Sequence, residues 1–388
     1  MRPEVRMARY LEGLSRYRAG GFSCVEAAEF LGLSERHFRR LRDVYEAEGA
    51  EGLIDKRRGR ASGRRAPVDK IEWVIEQYRT RYFDFTAKHF HEEIRKAGFD
   101  LSYTWTKTVL QQRGCIKVAP RRSAHRKKRP RRPLPGMMLF QDGSTHAWLG
   151  GRGPLDLIGT MDDATSEVYS LFLVEQEGTA STFQGLAETI AARGLFSSFY
   201  TDRGSHYFWT PKAGEKVDRG RLTQVGRALL ELGIDHIASY SPEARGRMER
   251  LWDTLQKRLP PLLRLHQITT IEAANRYLAQ TYIAEHNARF AVPAQEAGDG
   301  FVPFVGDLAS TLCAKHDRVV GNDNCVRFER LTLQIPEQVH RHHFVRATVQ
   351  VRQYPGGGLS LFHGPRRLAD YQADGTLITQ ENASRSAA

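Results

Sequence analysis

The sequence predicts a multidomain protein. All-α helix-turn-helix domains stand at the N-terminus, then an α/β core on a mixed five-stranded sheet, then a small all-β barrel. Three observations carry this. Positive charge is confined to the first third. Residues 1–135 hold 32 Lys and Arg against 17 Asp and Glu, residues 136–312 hold 16 against 21, and residues 313–388 hold 10 against 7. The middle third alternates short apolar runs and amphipathic stretches in the order βββαβαβα. Beyond residue 315 the apolar period changes to two. The 388 residues carry a net charge of +13 and a mean hydropathy of −0.50. No apolar run approaches the roughly 20 residues of a membrane span, and no apolar signal core follows Met1. Cys24, Cys115, Cys313 and Cys325 lack CxxC spacing. That excludes a structural zinc site and a disulfide framework and points to a reducing cytoplasm.

The first domain, 1–60, is read from its caps. Ser23 and Glu26 have the spacing of a capping box and start a helix over 24–31. Gly32 ends it, and Ser34 caps a second helix over 35–48 that carries Arg36, Arg39 and Arg40 near its start. A short helix, a glycine turn and a basic second helix make a helix-turn-helix, whose second helix enters the major groove of double-stranded DNA. A second unit, 66–116, is winged-helix-like. It has helices over 69–82, 86–96 and 103–112, the last capped by Ser102 and carrying Lys107. Between them, residues 56–65 form a basic, glycine-containing arm with Arg57 and Arg58, suited to a minor groove. A basic linker, 117–135, follows. Nine of residues 117–132 are Lys or Arg, among them Arg126, Lys127, Lys128 and Arg129, which are phosphate contacts by charge.

In the core, 136–292, strands are expected over 137–141, 155–161, 168–174, 196–201 and 234–239, with helices over 181–192, 223–232 and 244–259. Asp142 and Asp202 each follow a strand, and Glu249 lies one turn inside the last helix. Clustered carboxylates repel one another unless a cation sits between them, and hard oxygen ligands select Mg²⁺ or Mn²⁺. Two such ions in the site would activate an attacking oxygen and stabilise the leaving oxygen of a phosphodiester. On the same helix, Arg245, Arg250, Lys257 and Arg258 are placed to hold DNA phosphates.

The words around these acids resemble the core of DDE transposases of bacterial insertion sequences, ISNCY-type, which share the RNase H-like fold of retroviral integrases. Residues 139–149 (LFQDGSTHAWL) resemble the first-Asp segment, Tyr200-Thr201-Asp202-Arg203-Gly204-Ser205 the second, and residues 241–250 (SPEARGRMER) the segment ending in Glu-Arg. The resemblance spans about 136–292. It implies a transposase that binds terminal inverted repeats, hydrolyses a phosphodiester with Asp142, Asp202 and Glu249 around two Mg²⁺ (or Mn²⁺), and joins the freed 3′-hydroxyl to target DNA. It further implies at least a homodimer, no nucleotide cofactor, no membrane and a place on the bacterial nucleoid. The 46 residues between Asp202 and Glu249 exceed the usual spacing, and residues 209–220 are the natural place for the excess. A domesticated DNA-binding regulator and a nuclease without strand transfer are the alternatives. The first would be marked by loss of an acid, and the second has little need of sequence readout.

Other residues are assigned structural roles. Asp162 and Asp163 fit a hairpin turn. Glu167, Glu175 and Glu177 flank a strand as solvated charges, and Asp253 suits a surface salt bridge. His146 lies near Asp142 in sequence. Thr269 and Glu272 read as a capping box for a helix to His286. Over 315–372, the apolar runs predict a small five-stranded barrel, with His340, His342 and His343 in a loop, and the resemblance implies that it is SH3-like.

Overall fold

In the computed structural model, which describes residues 3–54, 66–118, 129–211, 216–218, 220–240 and 242–378, Ser23 makes both bonds of its capping box. Glu26 Oε2 accepts from the Ser23 amide at 2.7 Å, and Ser23 Oγ accepts from the Glu26 amide at 3.3 Å. The chain divides into two compact units, residues 1–73 and 74–388. In the first, α2 (Cys24–Leu31) ends at Gly32 with φ 67°, and Ser34 caps α3 (Glu35–Gly52). Gly49, with φ 65°, breaks α3 just past the predicted end. A further helix, α1 (Pro3–Arg18), precedes them. Its Leu14 and Tyr17 pack with Ala27, Ala28 and Phe38 to form the small core. The signal for α1 is only a sparse apolar stripe without a cap.

Three helices follow: α4 (Val68–Thr80), α5 (Ala87–Lys96) and α6 (Tyr103–Gln112). Thr86 and Ser102 cap the last two. Tyr78, Phe90, Ile94 and Leu110 of these helices belong to the same apolar core as Phe140, Leu157 and Leu171 of the central sheet.

That sheet has the order β3-β2-β1-β4-β5. The strands β1 (Leu139–His146), β2 (Leu155–Asp162) and β3 (Val168–Val174) form an antiparallel meander. Parallel to β1 runs β4 (Ser198–Thr201), and parallel to β4 runs β5 (Asp235–Ala238). Helices α7 (Thr179–Arg193) and α8 (Gln224–Glu231) make the crossovers. The first strand does not stop at Gln141 as expected. It runs through Asp142 to His146, because residues 143–146 go on pairing with 155–158.

After β5, α9 (Pro242–Leu265) continues past the predicted end at 259, through Pro260 and Pro261. Proline removes a helical hydrogen bond, but buried Leu259, Leu262 and Leu263 hold this segment against the core. Next come α10 (Ile271–Tyr277), capped by Thr270 rather than Thr269, a π-helical turn (Leu278–Tyr282) and α11 (Ile283–Phe290). Asn275 exchanges two bonds with the Leu173 backbone, and Asn287 exchanges two with Val168. These amides take the place of a further strand and close the exposed edge of β3.

The C-terminal region corrects the barrel expectation. After α12 (Leu308–Thr311), β6 (Ala314–Val319), β9 (Thr348–Gln353), β10 (Leu359–His363) and β11 (Arg366–Tyr371) make one sheet in the order β11-β10-β9-β6. A hairpin of β7 (Cys325–Phe328) and β8 (Leu331–Gln334) pairs only with itself among the described residues. Both sheets cover one core around Val351, Leu361 and Phe328, but no closed barrel forms.

Candidate active site

Phe140 of β1 pairs with Tyr200 of β4 in parallel register. Asp142 of β1 and Asp202, just past the end of β4, each lie two residues beyond this last paired position. Asp202 begins the loop after β4. Its Oδ1 accepts from the Gly204 amide at 2.8 Å, and a Cβ on Gly204 would lie 3.0 Å from that same oxygen.

The helix α9 runs along β1 and is bonded to it twice. Trp252 Nε1 donates to Asp142 Oδ2 at 3.0 Å, and Gln256 Nε2 donates to Ser144 Oγ at 3.1 Å. Gly159 faces Asp142 across β1–β2, and a Cβ there would lie 3.0 Å from the Trp252 ring. A glycine opposite Asp142 therefore admits the indole. Glu249 lies three residues before Trp252, one turn along the same face, and is exposed. Sequence reasoning missed Trp252. Its signal was the recurrence of Glu249, Trp252 and Gln256 at steps of three and four.

Three further groups flank Asp142. Glu177 is half-buried rather than solvated, and a Cβ on Gly143 would lie 2.5 Å from its Oε2. His206 Nε2 is 3.6 Å from Glu177 Oε1. Buried Tyr207 donates its hydroxyl to Gln141 Oε1 at 3.1 Å. Burial first, and then the charges of Glu177, Asp142 and Asp202, hold that hydroxyl well above the usual tyrosine range, so it stays a donor.

The turn acids are also placed differently from a solvated hairpin. Asp162 and Asp163 are both fully buried. Asp163 pairs with Arg247 of α9 and with Arg129 of the linker, and its Oδ2 accepts from the Arg132 amide at 2.7 Å. Arg131 Nη1 donates to the carbonyls of Asp163 and Ala164 and to Ser166 Oγ. Asp162 accepts from the amides of Gly136 and Thr165. The carboxyl of Asp162 is pushed up by burial.

Of the expected DNA contacts, Arg36, Arg39 and Arg40 are exposed on α3, with Arg39 paired to Glu35. Lys107 is half-exposed on α6, and Lys257 pairs with Asp253 on the surface of α9. Arg129 departs from expectation: it is spent on Asp163 rather than standing free in the linker. Arg57, Arg58, Arg126, Lys127, Lys128 and the side chain of Arg245 lie outside the described residues. His146 packs against Trp148, with ring centroids 5.1 Å apart.

The donor set is all carboxylate oxygen, which suits a hard divalent cation. Two of its members follow a paired position of β1 and β4, and the third lies on the helix bonded to one of them. Among the described residues, no group of three or more His, Cys, Asp or Glu is gathered closely enough to hold an ion. No helix of the described residues is long and apolar enough to cross a membrane.

Residues 12–61 match the helix-turn-helix domain family. The chain is 32% identical over 356 residues to y4bF, a transposase-like protein of Sinorhizobium fredii, covering 90% of this chain and 77% of that protein. It is 25% identical over 361 residues to the transposase for insertion sequence IS1202 of Streptococcus pneumoniae, covering 84% and 76%. Among solved structures it is similar to the simian T-cell lymphotropic virus intasome in complex with PP2A regulatory subunit B56 gamma. The identity is 15% and the TM-score 0.32, over 67% of this chain and 84% of that one. It is also similar to the HTLV-2 integrase catalytic core domain in complex with magnesium, at 16% identity and a TM-score of 0.29, over 38% and 88%.

Proposed function

The chain belongs to the transposases of insertion sequences, and on that footing we propose that it binds the terminal inverted repeats of its element and cuts and joins DNA with Asp142, Asp202 and Glu249. The observation that supports this reading is the pairing of Phe140 with Tyr200 two residues before Asp142 and Asp202, with the helix of Glu249 bonded to Asp142 through Trp252.

In the first step a water oxygen forms a bond to phosphorus at the element end. The P–O3′ bond breaks, and the 3′-oxygen leaves as a hydroxyl. In the second step that hydroxyl attacks a target phosphodiester. A new P–O3′ bond replaces the target's own, whose 3′-oxygen takes up a proton. One bond is exchanged for another of the same kind, so no nucleotide cofactor is required. The three carboxylates would hold two Mg²⁺ or Mn²⁺, which when bound polarise the attacking oxygen and neutralise the leaving one. Trp252 fixes one oxygen of Asp142, and the Gly204 amide fixes one of Asp202. Glu249, exposed on α9, would be the third ligand.

Capture of double-stranded DNA falls to the basic N-terminal third, with Arg36 and Arg40 of α3 at base edges. Joining two ends calls for at least a homodimer. The test is a labelled duplex of the inverted repeat that flanks the gene, incubated with Mg²⁺ and target DNA. Cleavage with joining is the expected result. Cleavage alone would leave a nuclease, and binding without product would leave a regulator.

A further inference from the structure

On the side of α9 turned away from Glu249, Trp252 and Gln256, a cavity of about 260 Å³ is lined by Arg131, Arg247 and Arg250, with the hydroxyl residues Ser166 and Thr254 and by His286. Among the described residues no carboxylate lines it. The charge around it does not balance. Arg129, Arg131, Arg247 and Arg250 lie within electrostatic reach of one another, and the acids that reach them are Asp162 and Asp163. Asp163 is already shared between Arg129 and Arg247. Among the described residues four guanidiniums thus face two carboxylates here, with Arg131 half-buried and Arg250 exposed. Burial, with mutual repulsion among these cations, pulls the guanidiniums of Arg131 and Arg247 below their ordinary range. In addition, His286 is buried and its Nδ1 has no hydrogen-bond partner among the described residues.

We propose that this cavity is an oxyanion site and that it takes one backbone phosphate of DNA. Guanidiniums and hydroxyls are the donors that a phosphate oxygen accepts from, and the unpartnered imidazole supplies one more. Arg247 and Arg250 share α9 with Glu249 but point to another side of it, so a phosphate held here anchors DNA on the helix of the proposed active site rather than in it. The DNA source of the phosphate rests on the function proposed above. The oxyanion chemistry does not.

The test uses the full chain and the variants Arg131→Gln, Arg250→Gln and their double. Arg250 is exposed, so its variant folds even if loss of Arg131 loosens the turn. Binding of a random-sequence duplex is titrated with salt. Thermal stability is measured in inorganic phosphate against chloride of equal ionic strength. Each single variant and the double should lose about one unit of salt slope, the same unit, since one phosphate is held jointly. Phosphate should raise the melting temperature of the parent protein more than that of the double variant. Unchanged slopes with an unchanged phosphate response overturn the site. Unchanged slopes with a lost phosphate response overturn the DNA assignment in favour of a free phosphate. If the parent protein binds no duplex at all, the proposed function fails, and the phosphate arm still decides the cavity.

Discussion

The indole of Trp252 donates to the carboxylate of Asp142 across the gap left by Gly159. The bond joins an acid of the first strand to the helix of Glu249. It ties the helix that carries Glu249 to the strand that carries Asp142.

Trp252→Phe keeps the ring and removes the donor. A hydrogen bond to a charged group contributes about 1.5–3 kcal/mol, so turnover should fall by roughly ten- to a hundredfold. DNA affinity and melting temperature should stay near those of the parent protein. Unchanged turnover would mean that Asp142 is positioned without the indole.

Asp142→Asn, Asp202→Asn and Glu249→Gln should each abolish cleavage and joining while binding of the element end persists. Activity should require Mg²⁺ or Mn²⁺. Ca²⁺ should support binding alone, because its looser coordination does not enforce in-line geometry. Gel assays of product and complex read both outcomes, and full activity in EDTA would end the metal reading.

Much of this was legible because it is local. Ser23 with Glu26, Ser34 and Ser102 mark helix starts through bonds to residues a few positions away, and the apolar run 168–174 marks a strand by itself. What the sequence hid depends on partners far along the chain. Asp163 reads as an ordinary turn residue until Arg247, 84 residues later, packs onto it. Glu177 reads as solvated until Gly143 makes room beside β1. Helix α9 crosses two prolines because the leucines around them are buried, a tertiary effect that outweighs local propensity.

The turn acids are therefore sensitive positions. Removing Asp163 strands the Arg247 guanidinium in a buried place, and breaking a buried pair in this way costs about 3–5 kcal/mol. Asp163→Ala should lower stability by that order in urea unfolding. Asp162→Ala, losing bonds from Gly136 and Thr165, should also destabilise. A surface control such as Asp253→Ala should stay within about 0.5 kcal/mol. Near-parental stability of Asp163→Ala would show that the two arginines find other partners.

The last prediction concerns acid. His89 and His286 are buried, and burial, reinforced by the Arg258 charge, lowers their imidazoles to about 3 and about 4. An unfolded histidine titrates near 6.5. As pH falls below that value, the unfolded chain takes up protons that the folded chain refuses, so stability rises with pH through this window and is lost on acidification. Two such groups give a slope approaching about 2.7 kcal/mol per pH unit once both are protonated in the unfolded state. The window from about pH 6.5 down to about pH 5 isolates them, because most carboxylates titrate lower. His89→Gln and His286→Gln should each remove about half of the slope, measured by urea unfolding at several pH values. If neither substitution flattens the dependence, the acid sensitivity lies elsewhere and these imidazoles are reached by protons in the folded protein.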